Sequence, residues 1–239
     1  MRLYEKEIQD YVKEQNEITS AWFGGSKATG REDHLSDIDL VLVSANADQT
    51  FSHFEQFLNQ ISSIDLIHKE KRRSNFDQRF YVLKQTSESY YLDVCIFESQ
   101  EEKDYAEFFN HDRHGTPVII KDSGLLLKAK QLSQKLTVNL DKEYLKGRAE
   151  IFYRTFLKEA QREKFIDAYH FYLALIQIWT TIVRTKSCPQ KHDFSLRYIN
   201  IDLDLDHALF LENQLKISSL IDLKVKALTL KKSIDKELQ

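Results

Sequence analysis

The spacing of apolar positions changes along the chain, and each change predicts an element. Tyr4, Ile8, Tyr11 and Val12 recur at helical spacing, so Tyr4 to Gln15 reads as an amphipathic helix leading into a strand that ends at Phe23. From Leu35 to Val43 the period falls to two. Ile38, Leu40 and Leu42 alternate with Asp37, Asp39 and Val41, which predicts a strand with both carboxylates on one face. Helical spacing returns at Phe51, Phe54, Phe57, Leu58 and Ile61 behind Asp48 as the expected cap. Ile64 to Ile67, Arg79 to Leu83, Tyr90 to Phe97 and Pro117 to Lys121 read as further strands, and Asp122-Ser123-Gly124 closes this half.

Beyond Leu125 the strand patterns stop. Helices are expected over Leu125 to Leu136, Asp141 to Glu163, Lys164 to Val183 and Asp206 to Lys236. The third carries Tyr169, Tyr172, Leu173, Ile176, Trp179 and Val183 on one face and Phe171, Ala174 and Leu175 beside them, which suits the centre of a bundle. The expected fold is therefore α+β: a small mixed β-sheet domain with helices on one side over 1–124, then an all-helical domain over 125–239. Prolines occur only at Pro117 and Pro189 and glycines are few, so no flexible linker is expected between the halves.

Composition changes the picture in two respects. The net charge of −3 gives no broad basic field, which speaks against a nucleic-acid partner. The two cysteines, Cys95 and Cys188, follow no disulfide or metal pattern, and the first residues are polar, so the expectation is a reduced cytoplasmic protein without signal peptide or membrane span.

The candidate chemistry lies between Trp22 and Val43. Gly24 and Gly25 let the backbone turn and approach a ligand closely, and Ser26 is expected to cap a helix through Lys27 and Ala28. Backbone N–H groups at such a turn form an anion site, so a triphosphate suits it. Asp37 and Asp39 then offer paired hard oxygens, which suit Mg²⁺ held by one or two carboxylates together with substrate phosphates. Taken alone, either motif is better read as an ordinary glycine turn or as a strand whose aspartates face water.

In this order, Phe23-Gly24-Gly25-Ser26 followed by Ser36-Asp37-Ile38-Asp39-Leu40-Val41 resembles the signature of the DNA polymerase beta-like nucleotidyltransferase superfamily. The resemblance implies a third carboxylate on a later strand, for which Asp93 in Tyr90 to Phe97 is the candidate, as metal ligand or as general base. It also implies ATP or another nucleoside triphosphate as co-substrate and Mg²⁺ as cofactor. The layout, a catalytic domain followed by helices, resembles the antibiotic nucleotidyltransferases acting on aminoglycosides and lincosamides. That likeness implies transfer of a nucleoside monophosphate to a small-molecule hydroxyl with loss of pyrophosphate, allows a homodimer, and suggests Lys191 as a phosphate contact, although a solvated loop lysine reads equally well there. Two other functions fit the same residues: modification of a protein partner, as in antitoxin-like nucleotidyltransferases, and a catalytically idle nucleotide-binding module.

Other polar clusters carry less. His111-Asp112-Arg113-His114 lacks the further ligand that a tetrahedral metal site needs. Asp202, Asp204, Asp206 and His207 lack the glycine and distal glutamate of a calcium loop. Lys69-Glu70-Lys71-Arg72-Arg73 reads as a solvated hairpin end, and Glu150 and Glu159 as solvated helix residues.

Overall fold

The computed structural model describes residues 4–71, 76–98 and 101–239. They divide into two compact units, 1–135 and 136–239.

The first unit follows the expected order: α1 (Glu5–Glu14), β1 (Ile18–Phe23), α2 (Gly25–Ala28), β2 (Ile38–Ser44), α3 (Ala47–Ile61), β3 (Ile64–Lys69), β4 (Phe76–Leu83) and β5 (Leu92–Phe97). Two 3₁₀ turns at Glu102–Asp104 and Ala106–Phe109 precede α4 (His111–His114), β6 (Val118–Lys121) and α5 (Leu125–Leu132). The strands form one mixed sheet in the order β3-β4-β5-β2-β1-β6. Only β2 and β5 run parallel; every other neighbouring pair is antiparallel.

The period-two pattern explains what each face of the sheet does. Ile38, Leu40 and Leu42 of β2 and Leu92, Val94 and Ile96 of β5 join Ile8 and Val12 of α1 and Phe51, Phe54 and Leu58 of α3 in the main core. The alternate residues Val41, Val43, Phe97 and Trp22 form a second, smaller core with Tyr105, Leu126 and Ala129. The expected one-sided arrangement thus holds for the long helices α1 and α3, while the other face carries a cover made from the 3₁₀ turns and α5. For this reason α5 belongs to the first unit, and the division falls after Lys135 instead of after Gly124.

Two caps differ from expectation. Asn46, not Asp48, caps α3 by accepting from the Gln49 N–H at 3.0 Å. Asp48 sits in the first turn, where its charge complements the helix dipole, and it accepts from Arg79 at 3.2 Å. Gly24 occupies the N-cap position of α2, so Ser26 lies inside the turn.

The second unit comprises α6 (Lys142–Gln161), α7 (Phe165–Ser187), a 3₁₀ turn at Pro189–Lys191, α8 (Ile199–Asp202), α9 (Leu205–Leu215) and α10 (Leu220–Glu237). Tyr172, Ile176, Trp179 and Val183 of α7 lie in its core with Phe156, Leu223 and Leu230, as expected of a central helix, whereas Leu173 is exposed. The single helix expected over Asp206 to Lys236 is two. Ser219 accepts from the Asp222 N–H at 3.1 Å while Asp222 accepts from the Ser218 N–H at 2.8 Å, so a new N-terminus forms and the chain turns between α9 and α10. Among the described residues no helix is long and apolar enough to cross a membrane.

Candidate active site

The site lies at the end of the sheet where β1 stops and β2 and β5 begin. The Gly24 N–H donates to the Asp39 carbonyl at 2.9 Å, which continues the β1–β2 ladder by one bond and fixes the start of the turn. Gly25 then adopts φ +53°, a left-handed conformation that glycine reaches without a Cβ penalty. A Cβ at Gly25 would fall 1.6 Å from Asp39 Oδ2, whereas one at Gly24 would meet only Asp39 Cβ at 3.9 Å. Of the two glycines, Gly25 is therefore the one the carboxylate requires. The turn is braced from behind: the Thr116 N–H donates to the Ala28 carbonyl at 2.7 Å, and the Arg31 N–H donates to the Ser26 carbonyl at 2.9 Å.

Parallel pairing of β2 with β5 sets Asp39 directly beside Asp93. Asp39 and Asp93 alternate with the main-core residues of their strands, so both stand on the face away from α1 and α3, at the end the small core leaves open. Asp37 lies just ahead of β2 and accepts a hydrogen bond from the Tyr91 hydroxyl. That bond, burial, and the charges of Asp37, Asp39 and Asp93 all push the Tyr91 phenol above its ordinary range, which places the three carboxylates around it. The structure thus gathers Asp37, Asp39, Asp93, Gly25 and Ser26 in one unit of the chain.

Two residues of this site escaped the sequence reading. Gln78 on β4 donates from Nε2 to Asp93 Oδ1 at 2.8 Å and to Oδ2 at 3.0 Å, and the Cys95 thiol stands 3.9 Å from Oδ1. Gln78 pairs in register with Cys95, two residues along β5 from Asp93, a diagonal distance a long side chain spans. Burial, the larger effect, and the charge of Asp37 raise the Asp93 pKa, while the bonds from Gln78 and Cys95 act against that rise. Tyr91, the other residue, lies inside a stretch read as strand, but its bond to Asp37 depends on strand pairing that no local pattern reveals.

The donor chemistry fits a hard divalent cation at Asp37 and Asp39, because Mg²⁺ takes one or two carboxylates and leaves its other positions to water and phosphate. Gly25 leaves open, beside Asp39, the space a side chain would fill. Among the described residues no group of three or more His, Cys, Asp or Glu is arranged to hold a metal ion. Gln78 engages both oxygens of Asp93.

Lys191 lies in the second unit, with its ammonium 2.6 Å from Asp202 Oδ1. Asp202 also pairs with Arg184, whose guanidinium is fully buried. The structure therefore gives Lys191 a partner within its own unit. The remaining clusters have structural explanations. Asp204 caps α9 by accepting from the His207 N–H at 2.9 Å, the His114 ring packs on Phe108, Glu150 pairs with Arg154 and Glu159 with Arg162. Arg72 and Arg73 lie outside the described residues.

Residues 6–102 match the family described as Polymerase beta, Nucleotidyltransferase. The first unit thus contains a nucleotidyltransferase domain of the polymerase beta type, and the glycine turn and carboxylates described above fall within the matched stretch. Among solved structures, the chain is similar to an aminoglycoside 6-adenyltransferase from Bacillus subtilis, with 10% identity over 100% of this chain and 92% of that one at a TM-score of 0.35. It is also similar to the spectinomycin adenyltransferase AAD(9) from Enterococcus faecialis, solved with ATP and spectinomycin, with 12% identity over 98% of this chain and 100% of that one at a TM-score of 0.38. A nucleotidyltransferase-like protein from Exiguobacterium sibiricum shows 11% identity over 99% of this chain and 73% of that one, at a TM-score of 0.33. No curated protein matches the chain.

Proposed function

We propose that this chain is a Mg²⁺-dependent adenylyltransferase that moves AMP from ATP to a hydroxyl of a small molecule of the aminoglycoside or lincosamide kind, releasing pyrophosphate. The observation that carries the reading is the fit of Gly25 against Asp39, with Asp93 in register on the next strand. It joins an anion-binding turn to paired carboxylates at one edge of a half-buried face.

In this reading the turn at Gly24, Gly25 and Ser26 holds phosphate oxygens and orients the α-phosphorus. A bond forms between the acceptor oxygen and that phosphorus while the bond to the leaving pyrophosphate oxygen breaks. The acceptor's proton passes to a carboxylate oxygen of Asp93, whose raised pKa suits a general base and whose plane Gln78 fixes. Mg²⁺, held by Asp37 and Asp39, supplies charge neutralisation at the phosphates. Tyr91 keeps Asp37 oriented through its hydroxyl. Lys191 receives no role, because its ammonium already has Asp202. The acceptor class rests on the layout of a catalytic domain followed by helices and on the absence of a basic field in the composition.

Calorimetric titration with a non-hydrolysable ATP analogue, with and without Mg²⁺, tests the reading. Binding that needs Mg²⁺ and is lost in Asp37→Asn/Asp39→Asn is expected, after which pyrophosphate release is screened across aminoglycosides and lincosamides. A wild type that binds no ATP, GTP, CTP or UTP analogue overturns it.

A further inference from the structure

One row of the sheet runs from the glycine turn through the carboxylates and on to an aromatic surface that no buried cluster uses. In the strand order β1-β2-β5-β4-β3 the residues abreast are Gly24, whose N–H is bonded to Asp39, then Asp39, Asp93, Phe80 and His68. Residues paired in register share a face, so Phe80 and His68 stand on the same side as the two carboxylates. The Phe80 ring meets Tyr91 edge-on at 5.9 Å between centroids and His68 at 6.1 Å, which joins the three rings in one patch. Tyr91 is 38% exposed, Phe80 is half-buried and His68 is exposed. The cover built from the 3₁₀ turns and α5 packs over Trp22, Val41, Val43 and Phe97, and these three rings belong neither to that core nor to the main one. Of the ionised residues on these strands, Asp39 and Asp93 share the face of the rings, whereas Lys69 and Arg79 alternate to the other.

We propose that Phe80, Tyr91 and His68 form the platform on which the acceptor lies, and that it receives a saturated ring bearing amine cations. The proposal rests on the reaction inferred above and adds where the second substrate sits. In that reaction the turn beside β1 holds the leaving pyrophosphate, and the attacking and leaving oxygens stand roughly in line across the phosphorus. The incoming hydroxyl therefore approaches from the β5 side, next to Asp93, and the body of the acceptor extends beyond it over β4 and β3. Adjacent strands lie about 4.8 Å apart, so Phe80 and His68 support a molecule from about 5 to about 10 Å beyond Asp93, the reach of one or two saturated rings. Aromatic faces give such a ring a large apolar contact and draw cations through their quadrupole. Asp39 and Asp93 add negative charge on the same face, and Lys69 and Arg79, turned to the other, do not oppose it. The row thus has the phosphates at one end, the carboxylates in the middle and the acceptor at the other.

Calorimetry of the full chain tests it, with the protein loaded with Mg²⁺ and the non-hydrolysable ATP analogue and titrated with kanamycin, spectinomycin and lincomycin, on wild type, Phe80→Ala and Phe80→Tyr. At least one of these amine-bearing ring compounds is expected to bind the wild type. Phe80→Ala should weaken that binding by about fivefold to about 30-fold, and Phe80→Tyr, which keeps the ring, should stay within about threefold. Both variants should bind the ATP analogue within about threefold of wild type, which also shows that each is folded. With the analogue bound, a wild type that takes up none of the three compounds, a Phe80→Ala protein that binds them as wild type does, or a Phe80→Tyr protein that loses them as the alanine variant does overturns the platform and leaves the reaction standing. A Phe80→Ala protein that keeps its far-UV circular dichroism but loses the analogue assigns the rings to the nucleobase and overturns it as well. A wild type that binds no nucleotide analogue overturns the reaction and this inference together.

Discussion

The contact between Gly25 and Asp39 makes the sharpest demand on the site, and Gly25→Ala tests it. Two penalties act together. The residue keeps φ +53°, which costs a non-glycine residue about 1–2 kcal/mol. The new Cβ would also sit 1.6 Å from Asp39 Oδ2 and 2.3 Å from Cγ, whereas real Cβ atoms essentially never come within 3.0 Å of a neighbour. The carboxylate has to retreat by well over an ångström, or the turn has to open by as much. Displacement of about 1 Å at a reacting group typically costs on the order of 100-fold in rate. We expect Gly25→Ala to lower the unfolding midpoint modestly and to weaken Mg²⁺-dependent binding of the ATP analogue by about tenfold to about 100-fold.

Gly24→Ala is the matched control. Its φ is −104° and its Cβ would meet only Asp39 Cβ at 3.9 Å, an ordinary contact. Its N–H continues to donate to the Asp39 carbonyl, so binding is expected to stay within about threefold of wild type, a difference of under about 0.7 kcal/mol. Calorimetry on the two variants side by side reads the difference. Equal losses in both, or a Gly25→Ala protein that binds as wild type does, would refute the argument from close approach.

Three further outcomes follow from the same geometry. Asp93 has a raised pKa in the folded state, so it binds its proton more tightly folded than unfolded, and stability is lost as pH rises from the ordinary carboxylate range through that raised value. Asp93→Asn removes this loss, so the variant's thermal midpoint should gain on that of wild type as pH rises through that range and exceed it at neutrality; a lower midpoint at neutrality would count against it. Arg184→Met removes a buried guanidinium that pairs with Asp202 at 3.1 Å and donates to the Ser195 carbonyl at 2.7 Å, and should cost about 3–5 kcal/mol, read by chemical denaturation and by faster hydrogen exchange over residues 188–202. Burial and then Glu17 push the Tyr11 phenol up to about 12, so between about pH 10, where unfolded tyrosines ionise, and pH 12 the folded state holds the extra proton and loses stability as pH rises. Tyr11→Phe should make that alkaline decline shallower, and an unchanged slope would sink the assignment.

Sequence period reaches as far as local geometry does. The face on which Asp39 lies was legible because Ile38, Leu40 and Leu42 keep strict alternation, and the same logic gave Asp93 its place between Leu92 and Val94. The helix stripe of α3 was legible for the same reason, since Phe51, Phe54 and Leu58 are buried at the spacing that predicted them. The errors fall where several local signals compete. Asn46 and Asp48 are both good caps two residues apart, and only the backbone conformation at Asn46, extended at φ −144°, decides between them. The break between α9 and α10 did carry a signal in Ser219 and Asp222, which a continuous apolar pattern on both sides obscured. The placement of α5 had none, because an amphipathic helix shows that it has a partner and not which one.

What no period could supply is the relation between strands, and the chemistry of this site lies there. Asp39 and Asp93 are neighbours because β2 and β5 run parallel in one register; a slip by one residue would turn Asp93 into the main core and bring Leu92 or Val94 to the open face. Gln78 reaches Asp93 only because β4 runs antiparallel to β5 with Cys95 opposite it. The apolar residues on the core face enforce both registers, since any slip buries a carboxylate beside Phe54 and Leu58 at a cost that burial of a charge without a partner makes large. The main core therefore does more than hold the sheet together. By fixing register on one face it sets which polar side chains meet on the other, and the pairing of Gln78 with Asp93 is a consequence of where α1 and α3 pack.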